Sequence, residues 1–270
     1  MINLDAYFDR IGYAGERTAT LDTLRAIVVR HTEAIAFENL DPLRGQPVHL
    51  DPTSLERKLV TERRGGYCFE QNLLLRHVLE VLGFPVIGLA ARVLWNAPDN
   101  ASLPRTHMAL HLEVGGTIYI VDVGFGGLTP TAPLRLEPGI EQATPHEPFR
   151  LVESSREFTL QAKIAGGWKS LYRFDLQPQL LADYEVINWY LSNHPSSRFV
   201  TNLIAARPTR DRRYALFNNQ LNVYRLDGTS ERHHLASVSE IRAALEKHFL
   251  IQPPVGPQLD AMLERMLAGH

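Results

Sequence analysis

The spacing of apolar positions changes period along this chain, and the change divides it. Leu4, Phe8 and Ile11 keep helical spacing and Gly12 ends the segment. After Thr20 the pattern resumes with Leu21, Leu24, Val28 and Ile35. Asp51-Pro52 reads as an N-cap with proline at the first helical position, leading Leu55, Leu59 and Val60; Arg64-Gly65-Gly66 breaks that helix. A further helix is expected from Phe69 to Leu82, with Leu75, Val78, Leu79 and Leu82 on one face and Gly83 as its cap. From about Phe84 to Tyr184 the period falls to two. Met108, Leu110, Leu112 and Val114 alternate, Thr117 to Val123 is rich in β-branched residues, and Phe149–Glu153, Glu157–Ile164 and Trp168–Phe174 read as strands. This predicts a mostly antiparallel sheet, a small barrel being one form of it. The last part mixes strands (Arg213–Phe217, Gln220–Arg225) with helices. Ser237-Val238-Ser239-Glu240 is a capping box opening a helix to about Phe249, and Pro253 to Pro257 separates it from a short amphipathic helix. The fold class is α+β.

Composition narrows the chemistry. The 270 residues carry 28 Lys+Arg against 30 Asp+Glu, a formal charge of −2, which gives no electrostatic reason to expect nucleic acid or an acidic membrane surface. The longest apolar stretch, around Leu82 to Ala91, is interrupted by Gly83, Pro85 and Gly88 and falls short of the roughly 20 residues that span a bilayer. The first ten residues carry acids where a signal peptide has a basic region, so a cytoplasmic protein is expected. There is 1 cysteine, Cys68. It excludes an intramolecular disulfide, a zinc site needing two thiolates, an iron–sulfur cluster on the chain's own thiolates and a CxxC redox pair.

Cys68 stands between Gly65-Gly66 and an apolar-striped helix. A helix N-terminus favours an anion and so stabilises a thiolate. The alternative is a small buried hydrophobe, the common fate of a free cysteine. A nucleophilic thiol needs a base, and the base needs an orienting group. Thr106 to Val114, Gly115-Gly116 and Thr117 to Val123 read as a hairpin with a two-residue loop, in which Val114 faces Thr117. That register makes Asp122 a diagonal neighbour of both His107 and His111 on one face, while Met108, Leu110 and Leu112 point the other way. A metal on His107 and His111 lacks an evident third ligand, and no metal is expected. Gly124-Phe125-Gly126-Gly127 is not a dinucleotide fingerprint, because Thr129 stands where the last glycine would be.

These residues resemble the arylamine N-acetyltransferase family. Arg63 to Asn72 is similar to its R-G-G-x-C-x-E-x-N segment, Phe37-Glu38-Asn39-Leu40 to its F-E-N-L segment, and Thr106-His107-Met108 and Val121 to Gly126 to its histidine and aspartate motifs. The motifs lie in the family's order over about the first half of the chain. The resemblance implies a helical bundle (1–83) carrying the nucleophile, a central antiparallel β-barrel (84–186) carrying His and Asp, and a C-terminal α/β lid (187–270), around a cysteine-protease-like Cys-His-Asp core. It implies ping-pong acetyl transfer from acetyl-coenzyme A to an arylamine, arylhydrazine or arylhydroxylamine, with Cys68 as acyl carrier, His107 rather than His111 as its partner, and Asp122 orienting the ring. Phe37, Val93 and Phe125 would then line the amine pocket. Thr106, Phe125, Gly126 and Gly127 would lie near the acetyl-pantetheine arm, and Arg64 and Glu38 would form a structural ion pair. One departure is Ala36, where the family commonly has proline. The expected partner is a small aromatic amine or hydrazine, with no nucleic acid or membrane and with a homo-oligomer left open. Two other readings compete. One is a Cys-His-Asp thiol hydrolase or amidase, which shares the triad order. The other is a binding module with a structural cysteine.

Overall fold

A computed structural model describes residues 2–98 and 101–268. The chain opens with α1 (Leu4–Ile11), capped by the Asn3 side chain and closed by Gly12 in the left-handed region, and α2 (Leu21–Ala34), capped by Thr20. Short β1 (Phe37–Glu38) and α3 (Leu40–Leu43) follow. Asp51 caps α4 (Pro52–Leu55), which runs on as a π-helical segment, Glu56–Thr61. Helix α5 spans Cys68–Val81, so the cysteine is its first residue. The barrel strands are β2 (Val86–Val93), β3 (His107–Val114), β4 (Thr117–Val121), β5 (Leu134–Arg135), β6 (Phe149–Ser154), β7 (Glu157–Ile164) and β8 (Gly167–Phe174). Then come α6 (Leu181–Asn193), α7 (Arg198–Thr201), β9 (Ile204–Thr209), β10 (Arg212–Phe217), β11 (Gln220–Arg225), β12 (Ser230–His234), α8 (Val238–Phe249) and α9 (Pro257–Ala268).

The seven-stranded antiparallel sheet runs β5-β4-β3-β2-β8-β7-β6. Gln142 nearly closes it: its backbone pairs with Phe149 of β6 while its side chain hydrogen-bonds both backbone groups of Arg135 on β5. Gly115 and Gly116, both at positive φ, form the two-residue turn joining β3 and β4. The pairing is Val114 with Thr117 through Leu110 with Val121, the register read from the sequence. Alternate residues of β3 therefore enter different cores. Met108, Leu110 and Leu112 pack with α5 and the other N-terminal helices, whereas Ala109 joins Leu89, Phe149, Leu160 and Phe174 inside the barrel.

The first third is not wholly helical. Strand β1 pairs with β9, making it the edge of a five-stranded sheet β1-β9-β10-β11-β12. The third core, built on that sheet and on α8 and α9, accordingly takes in Ala36, Leu40 and Leu43 from the N-terminal part. The capping box at Ser237 is also partial. Its hydroxyl accepts from Glu240 N, but the Glu240 carboxylate turns to Ala236 N, one residue before the cap.

The barrel meets α5 at Gly124. A Cβ there would lie 2.7 Å from Cys68 Cα and 2.9 Å from Cys68 O, which are backbone atoms that can yield only by moving the helix. Gly124→Ala is expected to cost about 1–3 kcal/mol and several degrees of thermal stability. Gly127→Ala, where a Cβ meets open space, should stay within about 0.5 kcal/mol. Thermal and denaturant unfolding of the two variants checks the contrast.

Candidate active site

The chain reaches Cys68 through a turn fixed from both sides. Glu38 N donates to Gly66 O at 3.1 Å and Gly66 N to Ala36 O at 3.3 Å, so β1 and the Gly65-Gly66 turn hold each other. Behind them runs a buried polar relay. Tyr7 donates its hydroxyl proton to His31 Nδ1 (2.8 Å), and His31 Nε2 donates to Gln71 Oε1 (2.7 Å). The Gln71 amide then donates to Ala36 O (2.7 Å) and Gly66 O (3.2 Å). Burial lowers the His31 pKa to about 4, so the relay is neutral at physiological pH. Tyr67, the N-cap of α5, supplies no side-chain acceptor to the first turn, which leaves the positive helix end directed at Cys68.

Strand β3 brings His107 against this end. Its Nε2–H donates to Asp122 Oδ2 at 2.6 Å, leaving Nδ1 for the thiol, and both side chains are almost wholly buried. Strand β4 ends at Val121, so Asp122 lies just past the ladder and is held by other bonds. Its Oδ1 accepts from Gly124 N (2.8 Å) and from Asn72 Nδ2 (3.0 Å), one turn beyond Cys68 on α5. Asn72 also donates to Met108 O (2.8 Å) and accepts from Val123 N (3.1 Å). Burial opposes charge on the His107 ring, but the Asp122 carboxylate, by charge and hydrogen bond, and the Cys68 side chain raise its pKa to about 10. Burial likewise opposes charge on Asp122, and His107, Asn72 and Gly124 N hold its pKa below the ordinary value. His107 is thus an imidazolium at neutral pH beside a thiol at a helix N-terminus, an arrangement suited to attack on an acyl carbon. The Cys68 Sγ lies 3.7 Å from Thr106 O.

Of the other expected residues, Phe125 packs on the imidazole itself. The Phe125 ring centroid is 5.2 Å from that of His107. Phe37 abuts Gly126, where a Cβ would lie 3.6 Å from its ring, and packs on Phe199 at 6.1 Å. Val93 pairs across the sheet with Tyr172. Gly127 is half-buried, and nothing lies within 4 Å of the position a Cβ would take. His111 does not join: its Nε2 is buried without a hydrogen-bond partner. Among the described residues no group of three or more His, Cys, Asp or Glu could hold a metal.

A profile of the N-acetyltransferase family matches residues 20–254. An arylamine N-acetyltransferase of Mycobacterium tuberculosis is 46% identical over 274 residues, covering 99% of this chain and 96% of that protein. The chain belongs to the arylamine N-acetyltransferase family. It is an acyltransferase. A second relative of that name, from Mycolicibacterium smegmatis, is 46% identical over 92% of this chain and 91% of its own. The solved structure of the Mycobacterium marinum arylamine N-acetyltransferase in complex with CoA superposes with a TM-score of 0.94 at 44% identity, covering 98% of this chain and 99% of that one. No helix among the described residues is long and apolar enough to cross a membrane.

Sequence reasoning assigned no role to two neighbours. Asn72 had a signal, a polar side chain one helical turn after Cys68 that ends the run Glu70-Gln71-Asn72 and precedes three leucines. Tyr172 had none, being one aromatic among strand residues. Its ring is 4.8 Å from that of His107, and its hydroxyl is buried without a hydrogen-bond partner. Burial first, then the Asp122 charge, raises its pKa well above the ordinary value.

The shifted groups set a pH dependence of stability. His107 is raised from 6.5 to about 10, so its share of stability is complete below 6.5 and is lost as pH rises through 10. Asp122 is lowered, so its share is present above its ordinary 3.8 and is lost on acidification below it. The stability difference between the native chain and His107→Gln is expected to be flat between these limits and to shrink toward pH 10. Denaturant unfolding across that range checks it.

Proposed function

We propose that this N-acetyltransferase carries an acetyl group from acetyl-coenzyme A to an aromatic amine, hydrazine or hydroxylamine in two half-reactions that share Cys68. The observation that carries the reading is the placement of the chain's 1 cysteine at the first position of α5, beside a buried imidazole bonded to a carboxylate at 2.6 Å. In the first half-reaction the Cys68 thiolate adds to the thioester carbonyl. The bond from that carbon to the coenzyme A sulfur breaks, His107 returns the proton to the departing sulfur, and Cys68 holds the acetyl group as a thioester. In the second, the amine nitrogen adds to that carbonyl and His107 takes its proton. The carbon–sulfur bond to Cys68 breaks, releasing the amide and restoring the thiolate. Asp122 fixes the ring with Nε2 protonated and Nδ1 toward sulfur.

Phe37, Val93 and Phe125 form the aromatic acceptor's walls in this reading. Thr106, Phe125, Gly126 and Gly127 lie along the acetyl-pantetheine arm. Acetyl-coenzyme A is a co-substrate, and no metal enters the chemistry. The working compartment is the cytoplasm. Nucleic acid and membranes are not partners, and the scheme runs in a monomer or a homo-oligomer alike.

Incubation with acetyl-coenzyme A and no amine is expected to add one acetyl group to the Cys68 peptide, read by mass spectrometry, and an arylamine should remove it. A folded chain that takes up no acetyl group overturns the proposal, and loss to water at the same rate with or without amine would make it a thiol hydrolase. Cys68→Ala should abolish transfer with thermal stability retained. Asp122→Asn should slow acetylation at least a hundredfold, by analogy with loss of the orienting acid in serine-protease triads. Single-turnover release of coenzyme A measures it.

A further inference from the structure

We propose that Lys58 is a positioning residue for Cys68: it neutralises the Glu70 carboxylate, which folds back onto the same helix N-terminus that must stabilise the thiolate. The inference rests on the reading of Cys68 as nucleophile and adds a residue outside the acetyl-transfer machinery.

Glu70 is the third residue of α5, and its Oε2 accepts from Tyr67 N at 3.0 Å, so its carboxylate lies at the helix entrance beside Cys68. At an ordinary helix this contact is favourable. Here it places a second negative group where a thiolate must form, and two anions compete for one helix end. Lys58 answers it from the π-helical segment. Its Nζ is 2.6 Å from Glu70 Oε1 and 2.6 Å from Asp41 Oδ2. Behind Asp41, Arg64 donates at 3.1 Å to that carboxylate and at 2.9 Å to Glu38 Oε1, and Glu38 Oε2 accepts from Leu40 N at 2.6 Å.

Three carboxylates, of Glu38, Asp41 and Glu70, therefore face three cations, Lys58, Arg64 and, 3.8 Å from Asp41, Arg44, so the cluster has no spare positive charge. On the other side of the thiol stand His107 and Asp122, while the phenols of Tyr67 and Tyr184 donate away from it, to Asn188 and to Leu89 O. Burial raises the Tyr67 pKa, and the charges of Glu70 and Cys68 raise it further. Burial pushes Glu70 up to about 7; Lys58 pulls it down, and Asp41 and Glu38 push it up. Burial opposes the Lys58 charge, but Glu70, Glu38 and Asp41 outweigh it. Asp41, Arg44, Lys58, Arg64 and Glu70 border a cleft of about 540 Å³.

The test uses opposite signs, which a role in stability alone does not produce. The rate of Cys68 alkylation by iodoacetamide is followed against pH in the full chain. Lys58→Met removes the partner that keeps Glu70 ionised, so alkylation should slow by up to about tenfold only above the pH at which Glu70 loses its proton and should match the native rate below it. Glu70→Gln keeps an acceptor for Tyr67 N and leaves Lys58 bound to Asp41, and it should move the profile down. The double variant should lie between the two. An unchanged Lys58→Met profile, or single-variant shifts of the same sign, overturns the proposal. Should Lys58→Met fail to fold, Glu70→Gln decides alone: a downward shift supports it and an unchanged profile overturns it. Iodoacetamide needs no acetyl donor, whereas acetyl-coenzyme A labelling of the native chain separately tests the nucleophile reading.

Discussion

The carboxylate of Asp122 imposes the strongest constraint on this molecule. It is 1% exposed, and a charge so deep costs several kcal/mol unless it is fully bonded. Three donors meet that demand, and each comes from a different part of the fold. His107 belongs to β3, Asn72 to α5, and Gly124 N to the loop leaving β4. None can move without unpairing the carboxylate. The same bonds that satisfy one buried charge therefore fix the distance between the helical part and the barrel, and with it the place of the thiol.

Two charged networks flank the start of α5 in opposite ways. On the barrel side one carboxylate holds one imidazole, and the outcome is a cation facing sulfur. On the other side Glu38, Asp41 and Glu70 are matched one for one by Lys58, Arg64 and Arg44, and no net positive charge is left over. A helix N-terminus alone is a modest electrostatic device, worth about 0.3–1 kcal/mol at an exposed site. What gives it consequence here is burial, since Cys68 is 3% exposed and charges nearby are weakly screened.

Legibility followed how local each determinant was. The β3–β4 register could be read because Gly115-Gly116 fixes the loop length and a strand's period is two. The reading put Asp122 equally near His107 and His111, and spacing alone could not separate them. The separation comes from strand β4 stopping at Val121 and from Asn72, a contact across 50 positions. Helix starts at Thr20 and Asp51 could be read because a cap is a bond between near neighbours. Strand β2 could not, because helices cover one face and the barrel interior the other, and alternation disappears. Helix α6 escaped for the reverse reason. It buries Tyr184, Asn188 and Leu191 but exposes Val186 and Trp189, so its apolar residues mark no single face. The short strand β1 escaped because two residues carry no period.

That short strand shows how the acceptor side and the acyl-carrier side are tied together. Phe37 and Glu38 are consecutive, so their side chains leave opposite faces of β1. Phe37 goes to Gly126 and the proposed aromatic pocket, while Glu38 goes to Arg64 and the charged cluster. Their backbone is clamped between Ala205 and Ala206 of β9 on one edge and Gly66 on the other. A displacement of β1 would therefore act on the pocket wall, the ion cluster under α5 and the turn that presents Cys68 at once. Under the proposed function, variation in amine preference is then easiest at Val93, which pairs with Tyr172 in the barrel, whereas Phe125 packs on His107 and follows the Gly124 that abuts Cys68.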